Sequence, residues 1–312
     1  MRRLKPSRQY LHLVTGGLRG KMYSLRRMDT SRLFYPSTAE AEAAAAGAAG
    51  ADELVGAEAI GRLRWSKLER GIHFQPPTSD DGSFDVFARL GDVGSRIRCA
   101  DAAGHAAVYD AEARSFVGMP AMSSRSARYV AVSLPPPPFL LGPESRVRGP
   151  RAQPLRGGRR IGGGTSICLS TATATYSFDT ATSERTKAGD WVLRFSGKAE
   201  HVPELGLWFA MSRTSLSCSG LYALDLSAAG DAPPTTMYDA GFDLELPEDW
   251  FLFNHGVVSL GSGRLCVANF FLIMKQEHEN DNPIGVFTGV EVVPDDDGPR
   301  APHLPLSMTT KF

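Results

Sequence analysis

The sequence predicts an all-β fold built from repeated small antiparallel sheets. Three observations predict it. First, residues 94–110 and 163–179, which lie 69 positions apart, share one pattern. A glycine (Gly94, Gly163) leads into an apolar strand ending at a cysteine (Cys99, Cys168). A short polar turn follows, and a second strand closes on an aromatic and an aspartate, Tyr109-Asp110 and Phe178-Asp179, 11 residues after the cysteine in both cases. Two strands joined by a turn cannot bury an apolar face alone, so repeats of the unit imply stacked or radially arranged sheets. Second, from Phe84 onward short strand-like runs alternate with turns bearing Gly, Asp and Ala. Third, the one helix-favouring stretch, residues 39–50, is almost all alanine. It offers nothing large to bury and reads as a surface insertion.

Along the chain, residues 10–14 read as a strand, followed by the turn Gly16-Gly17-Leu18-Arg19-Gly20 and by strands at 22–28 and 33–35. Runs at 84–90, 96–100, 106–110 and 115–117 make one four-stranded antiparallel unit. Residues 129–134 begin the next, and Pro135-Pro136-Pro137-Pro138 stops it because proline cannot donate to a ladder. Residues 142–160 contain Arg146, Arg148, Arg151, Arg156, Arg159 and Arg160 among prolines and glycines, a composition that reads as a loop. With roughly 20 loop residues removed from the repeat offset, about 50 remain, near the period of a kelch-type repeat. Strands follow at 166–170, 175–179, 191–195, 198–202, 207–211 and 221–225. The last unit holds 257–260, the turn Gly261-Ser262-Gly263, then 264–271 and 286–293.

This predicts a tail over 1–9, a single propeller-like domain over 10–294 with insertions at 39–50 and 142–160, and a tail over 295–312. Cys99, Cys168 and Cys266 are expected in equivalent inner strands. Strand alternation places Tyr176 and Phe178 on one face, and Trp208 and Phe209 on opposite faces.

Composition bounds the class. Apolar residues are 42% and charged residues 22%, as in globular proteins. Lys+Arg, 34, equals Asp+Glu, 34, so no global field draws the chain to nucleic acid or an anionic membrane. No apolar run follows Arg2, Arg3 and Lys5, so no secretory signal is expected, nor any membrane-spanning stretch. The four cysteines (Cys99, Cys168, Cys218, Cys266) form no C-x-x-C, and Asn-x-Ser/Thr sequons are absent. Free buried thiols in an intracellular compartment, cytoplasm or nucleus, are the expectation.

Gly162-Gly163-Gly164, then Tyr176 and Asp179, then Trp191 resemble the kelch signature. Glycines permit close approach where sheets converge, the aromatics fill the wedge between sheets, and the aspartate caps the following turn. Longer phrases resemble a large plant family, expanded in grasses, known as a domain of unknown function. They are Ser24-Leu25-Arg26-Arg27-Met28-Asp29 with the run 31–38, Gly197-Lys198-Ala199-Glu200-His201-Val202-Pro203-Glu204-Leu205, Leu260-Gly261-Ser262-Gly263-Arg264-Leu265-Cys266, and Thr288-Gly289-Val290-Glu291-Val292. The resemblance covers most of residues 10–294 and implies a kelch-like β-propeller of about five or six four-stranded blades. It brings no active site with it. Departures are the Arg-rich segment and the region 52–83.

No chemical motif rises above this scaffold. Gly16-Gly17-Leu18-Arg19-Gly20-Lys21-Met22 is one residue short of a phosphate loop and lacks the hydroxyl after lysine. Gly162-Gly163-Gly164-Thr165-Ser166 is explained by the repeat without an anion. His278 between Glu277 and Glu279 sits in a charged stretch that reads as solvated, and Asp295-Asp296-Asp297 lacks calcium-loop spacing. The Arg-rich loop 146–160 is the one candidate for nucleic acid. Its single Arg156-Gly157-Gly158 triplet, without interleaved aromatics, argues against that partner.

No catalytic, cofactor-binding or metal-binding residue is therefore assigned, and no cofactor is expected. The sequence favours a protein-interaction module that presents its propeller loops to a protein partner, rather than an enzyme. Plant kelch propellers often serve as substrate-recognition parts of ubiquitin ligases, but no F-box-like helical segment precedes Tyr10. The alternative is a hydrolase or oxidase with its site at the propeller's central mouth.

Overall fold

In the computed structural model the described residues are 8–16, 23–34, 61–62, 72–74, 84–89, 96–101, 105–110, 112–120, 156–161, 166–170, 173–179, 182, 184–193, 195–212, 220–226, 233–241, 248–273, 284–292, 294–295, 298–299 and 307–311. Their secondary structure is β apart from two 3-10 turns. In chain order the strands are β1 (Tyr10–Gly16), β2 (Tyr23–Asp29), β3 (Gly61–Arg62), β4 (Ile72–Phe74), β5 (Phe84–Arg89), β6 (Arg96–Asp101), β7 (Ala106–Asp110) and β8 (Ser115–Met119). Next come β9 (Arg156–Ile161), β10 (Ser166–Ser170), β11 (Thr175–Asp179), β12 (Arg185–Gly189), β13 (Phe195–Val202), β14 (Leu207–Ser212), β15 (Gly220–Asp225) and β16 (Thr235–Gly241). The last are β17 (Trp250–Gly261), β18 (Arg264–Ile273), β19 (Ile284–Glu291), β20 (Pro294–Asp295), β21 (Gly298–Pro299) and β22 (Ser307–Lys311).

The fold is all-β, made of several small, mainly antiparallel sheets. Three of them take four consecutive strands in order: β5-β6-β7-β8, β9-β10-β11-β12 and β13-β14-β15-β16. A fourth runs β17-β18-β19-β22-β3, in which β22 and β3 are parallel. Smaller sheets are β1-β2-β4 and β20-β21. The chain divides into two compact units, one holding residues 1–11, 27–69 and 193–312, the other 12–26 and 70–192.

In the second unit, Val14, Tyr23 and Leu25 pack with Phe87, Ile97, Cys99 and Tyr109. The repeated hairpins carry the predicted turn chemistry. Asp110 Oδ1 accepts the backbone N–H groups of Glu112 and Ala113, both at 3.0 Å, and Asp179 Oδ1 accepts that of Thr182 at 3.1 Å. Each aspartate thus closes the turn into the outer strand. The Ala113 N–H and the Arg96 guanidinium hold the Asp110 carboxyl below the usual carboxylate range. Equal sequence spacing nevertheless conceals a shift in register. Arg96 opposes Asp110, three residues before Cys99, whereas Ser166 opposes Asp179, two residues before Cys168.

Cys99, Cys168 and Cys266 lie in β6, β10 and β18, each one strand in from an edge of its sheet. Cys99 and Cys266 are buried free thiols, pushed up to about 12 by burial.

In the first unit, sheet β13-β14-β15-β16 packs Val202, Leu207, Phe209, Met211, Leu221 and Ala223 against Val257, Leu265, Val267, Val290 and Val292 of the β17-β18-β19 region. Phe209 is buried, while Trp208 on the opposite face stacks on His201 at 4.6 Å.

Several expectations change. Arg156–Ile161 is strand β9, paired with β10, although residues up to 160 read as loop; backbone pairing at an edge needs no apolar side chains. Leu33 and Phe34, the described part of the strand expected at 33–35, do not form a strand. A 3-10 turn over Thr30–Leu33 takes their place, because Asp29 Oδ1 caps the Ser31 N–H at 2.9 Å. Trp191 lies between β12 and β13, half-buried, with its indole against Gly189 and its carbonyl accepting the Thr175 hydroxyl at 2.7 Å. The outer strand of that sheet is Arg185–Gly189, which precedes the tryptophan. Beyond residue 294, where the sequence suggests a tail, Ser307–Lys311 pairs with β19. The alanine stretch 39–50, residues 142–155, the strand expected at 129–134 and Cys218 lie outside the described residues.

Candidate functional site

The long strand β17 and its neighbours carry the most distinctive surface chemistry. Strands β17, β18 and β19 pair in register, His255 opposite Asn269 and Asn269 opposite Val286. A register shift between Leu252 and Asn254 makes Phe253 a bulge residue. Such a bulge changes the phase of alternation along the strand. Leu252, His255 and Val257 therefore share the face that bears Phe271, Asn269 and Val267.

That face is the packed one. Trp250 and Leu252 sit with Phe271, Ile273, Ile284 and Val286. At the border of this cluster stand His255 and Asn269. Asn269 is fully buried, and neither its Oδ1 nor its Nδ2 has a hydrogen-bond partner among the described residues; the same holds for His255 Nδ1. Burial holds the His255 imidazole below its usual pKa, which favours the neutral ring.

The other face is apolar and partly open. Phe253, 51% exposed, stands 6.4 Å from the Phe270 ring, and Phe270 meets Phe287, 4% exposed, edge-on at 5.9 Å. Three phenylalanines thus form a row across β17, β18 and β19, graded from solvent to core. Phe251, 55% exposed, extends the apolar surface along β17. The exposed end of the row thus rests, through Phe270, on a buried ring.

Farther along the same sheet the phrases singled out in the sequence meet. Arg264, buried, places Nε and Nη2 at 3.4 and 3.3 Å from Glu291 Oε1, and its guanidinium lies 4.8 Å from the centre of the Phe34 ring. A Cβ on Gly289 would run into the Leu33 carbonyl oxygen. The turn Gly261-Ser262-Gly263 has three consecutive positive φ angles, 80°, 56° and 71°, and its Ser262 N–H donates to Glu204 Oε1 at 2.8 Å. Thr30 Oγ1 is 2.8 and 3.0 Å from the carbonyl oxygens of Arg8 and Gln9, and the Arg8 N–H reaches the Leu260 carbonyl at 3.1 Å. These contacts tie together segments distant in the sequence.

Of the motifs weighed from sequence, the glycine turns at 17–22 and 162–165 and the cluster Glu277, His278 and Glu279 lie outside the described residues. Asp295 pairs with Gly298 in β20-β21. Among the described residues no three of His, Cys, Asp and Glu gather closely enough to hold a metal ion. No helix among them is long and apolar enough to cross a membrane. The aromatic row went unseen in the sequence because Phe253, Phe270 and Phe287 stand on three strands whose pairing no local pattern encodes.

Solved structures that resemble the chain include the hydrazine synthase of Kuenenia stuttgartiensis, at 10% identity over 96% of this chain and 66% of that one, with a TM-score of 0.32. The tricorn protease matches at 12% identity over 91% of this chain and 20% of that one, with a TM-score of 0.26. This chain spans less than two thirds of the length of either, and likenesses so slight carry no argument about fold or chemistry. No curated protein matches the sequence. A family model described as "Protein of unknown function (DUF1668)" matches residues 8–134 and 125–304. Together these matches span most of the sequence: the chain belongs to the DUF1668 family.

Proposed function

We propose that the chain is a non-enzymatic binding module of the kelch-like propeller type, whose open aromatic row receives a protein partner. The succession of sheets built from four consecutive antiparallel strands supports a blade-like reading of the architecture. One observation carries the binding reading: Phe251 and Phe253 stand more than half exposed, with Phe253 anchored through Phe270 on the buried Phe287. Aromatic side chains held rigidly at a surface lose little entropy on contact and are enriched among residues that dominate binding energy.

The test compares capture of proteins from an extract of the source organism by the immobilised wild-type chain and by a Phe251→Ser/Phe253→Ser variant. The expected result is a partner retained by the wild type and reduced about tenfold or more on the variant, as loss of an aromatic anchor predicts. Thermal unfolding of the two proteins should coincide within a few degrees, since both side chains are exposed. Identical retention on both columns would refute the reading.

A further inference from the structure

Strand β8 is the last of its sheet. One edge pairs with β7, and no described strand pairs with the other. All five of its residues are exposed. Its sequence, Ser115-Phe116-Val117-Gly118-Met119, contains no charge and no proline. Outer strands commonly carry such residues, or a bulge, to deter edge-to-edge association. The corresponding strand of the next sheet, β12, has Arg185 and Lys187, and β16 has Asp239. Strand β8 has neither device, and its ladder with β7 runs unbroken from Ala106↔Met119 to Asp110↔Ser115.

The strand is also complementary to itself. In an antiparallel pair of two copies centred on Val117, valine opposes valine, Phe116 opposes Gly118, and Ser115 opposes Met119. Gly118 offers room for this: a Cβ there would meet nothing within 4 Å. The exposed Phe116 ring of one copy can lie over the bare glycine of the other, a cross-strand arrangement that compensates for glycine's missing side chain. Val117, 60% exposed, would gain cover at the centre. With a formal net charge of +0, two copies do not repel as wholes.

We propose that the chain self-associates by antiparallel pairing of β8 with β8 of a second copy, across a two-fold axis through Val117, so that one sheet runs through two molecules. Such an isologous contact closes on itself and stops at the dimer. A five-residue strand buries far less than the roughly 800 Å² per partner of a standard interface, so the dimer forms reversibly at micromolar concentrations or above. The surface lies on a different strand from the aromatic row.

Cysteine cross-linking tests the register. Val117→Cys places two thiols on the axis, within the ~4.4–6.8 Å Cα separation that a disulfide requires. Ser115→Cys places them four positions apart along the pair, about 13 Å, which is too far. Under mild oxidation Val117→Cys should give at least tenfold more covalent dimer than wild type or Ser115→Cys on non-reducing gels. Sedimentation of the wild-type chain should show a concentration-dependent dimer that Val117→Lys abolishes. The proposal is overturned if Val117→Cys stays monomeric while melting like the wild type, or if Ser115→Cys cross-links equally well. A wild-type chain monomeric at every concentration, with capture of another protein that Val117→Lys abolishes, overturns it in favour of a foreign strand. Phe251 and Phe253 are untouched throughout, so failure here leaves the binding reading standing.

Discussion

At the scale of single residues, burial sets the titration of His255. Its ring is held neutral by burial, beside a fully buried Asn269 whose amide has no partner among the described residues. Because the folded pKa is depressed below the ordinary value of about 6.5, the folded state binds fewer protons than the unfolded chain between the two values. Stability from this site is therefore complete above about pH 6.5 and is lost as pH falls from there through the folded pKa. The wild type should lose more melting temperature between about pH 7.5 and about pH 5.5 than His255→Gln does. Parallel slopes in scanning calorimetry would mean that the imidazole is not constrained as the geometry states. The two cysteines on the other side of the ledger, Cys99 and Cys266, are held protonated by burial and contribute packing instead of reactivity.

At the scale of elements, the contacts between Leu33-Phe34 and the β18-β19 ladder decide where glycine is required. Gly289 opposes Cys266 in that ladder, and a Cβ would strike the Leu33 carbonyl, so Gly289→Ala must displace the 3-10 segment or the strand. The expected cost is about 1–3 kcal/mol, read as a lower midpoint in urea. Gly256→Ala is the control: nothing lies within 4 Å of that Cβ position, and the change should stay within about 0.5 kcal/mol. An equal effect of both substitutions would refute the close approach.

The same ladder shows why some elements were legible and others were not. β18 and β19 have apolar side chains buried along their length, which the sequence displays directly. The opposite faces of Trp208 and Phe209 followed from period-2 alternation alone. Strands β9 and β12 escaped notice because backbone pairing at a sheet edge needs no apolar pattern, and in β12 Arg185 and Lys187 stay exposed. The quoted phrases were visible as phrases, but their meeting around Arg264 depends on contacts between distant positions that no local pattern encodes. The His255–Asn269 pair was equally hidden, since the bulge before Asn254 sets which way the histidine faces.

At the scale of the whole molecule, one sheet draws on widely separated parts of the sequence. β3 contributes Gly61–Arg62 and β22 contributes Ser307–Lys311, while β17, β18 and β19 lie between them in the chain. Closing such long loops carries an entropic cost that precedes any reward from pairing, so this sheet should form late in folding. Strand β22 covers one edge of β19, from Ile284↔Lys311 to Thr288↔Ser307. Along that stretch Ile284 and Val286 are fully buried, and the strand stays uncharged until Glu291. A chain ending at residue 306 should therefore melt at a lower temperature, having lost the ladder and uncovered an apolar edge of the kind that templates aggregation. Calorimetry and light scattering together separate the two effects. A lower melting temperature with scattering that grows with concentration is the expected outcome. An unchanged melting temperature without scattering would mean that β22 rests on β19 without stabilising it, and the sheet's dependence on the end of the chain would fall.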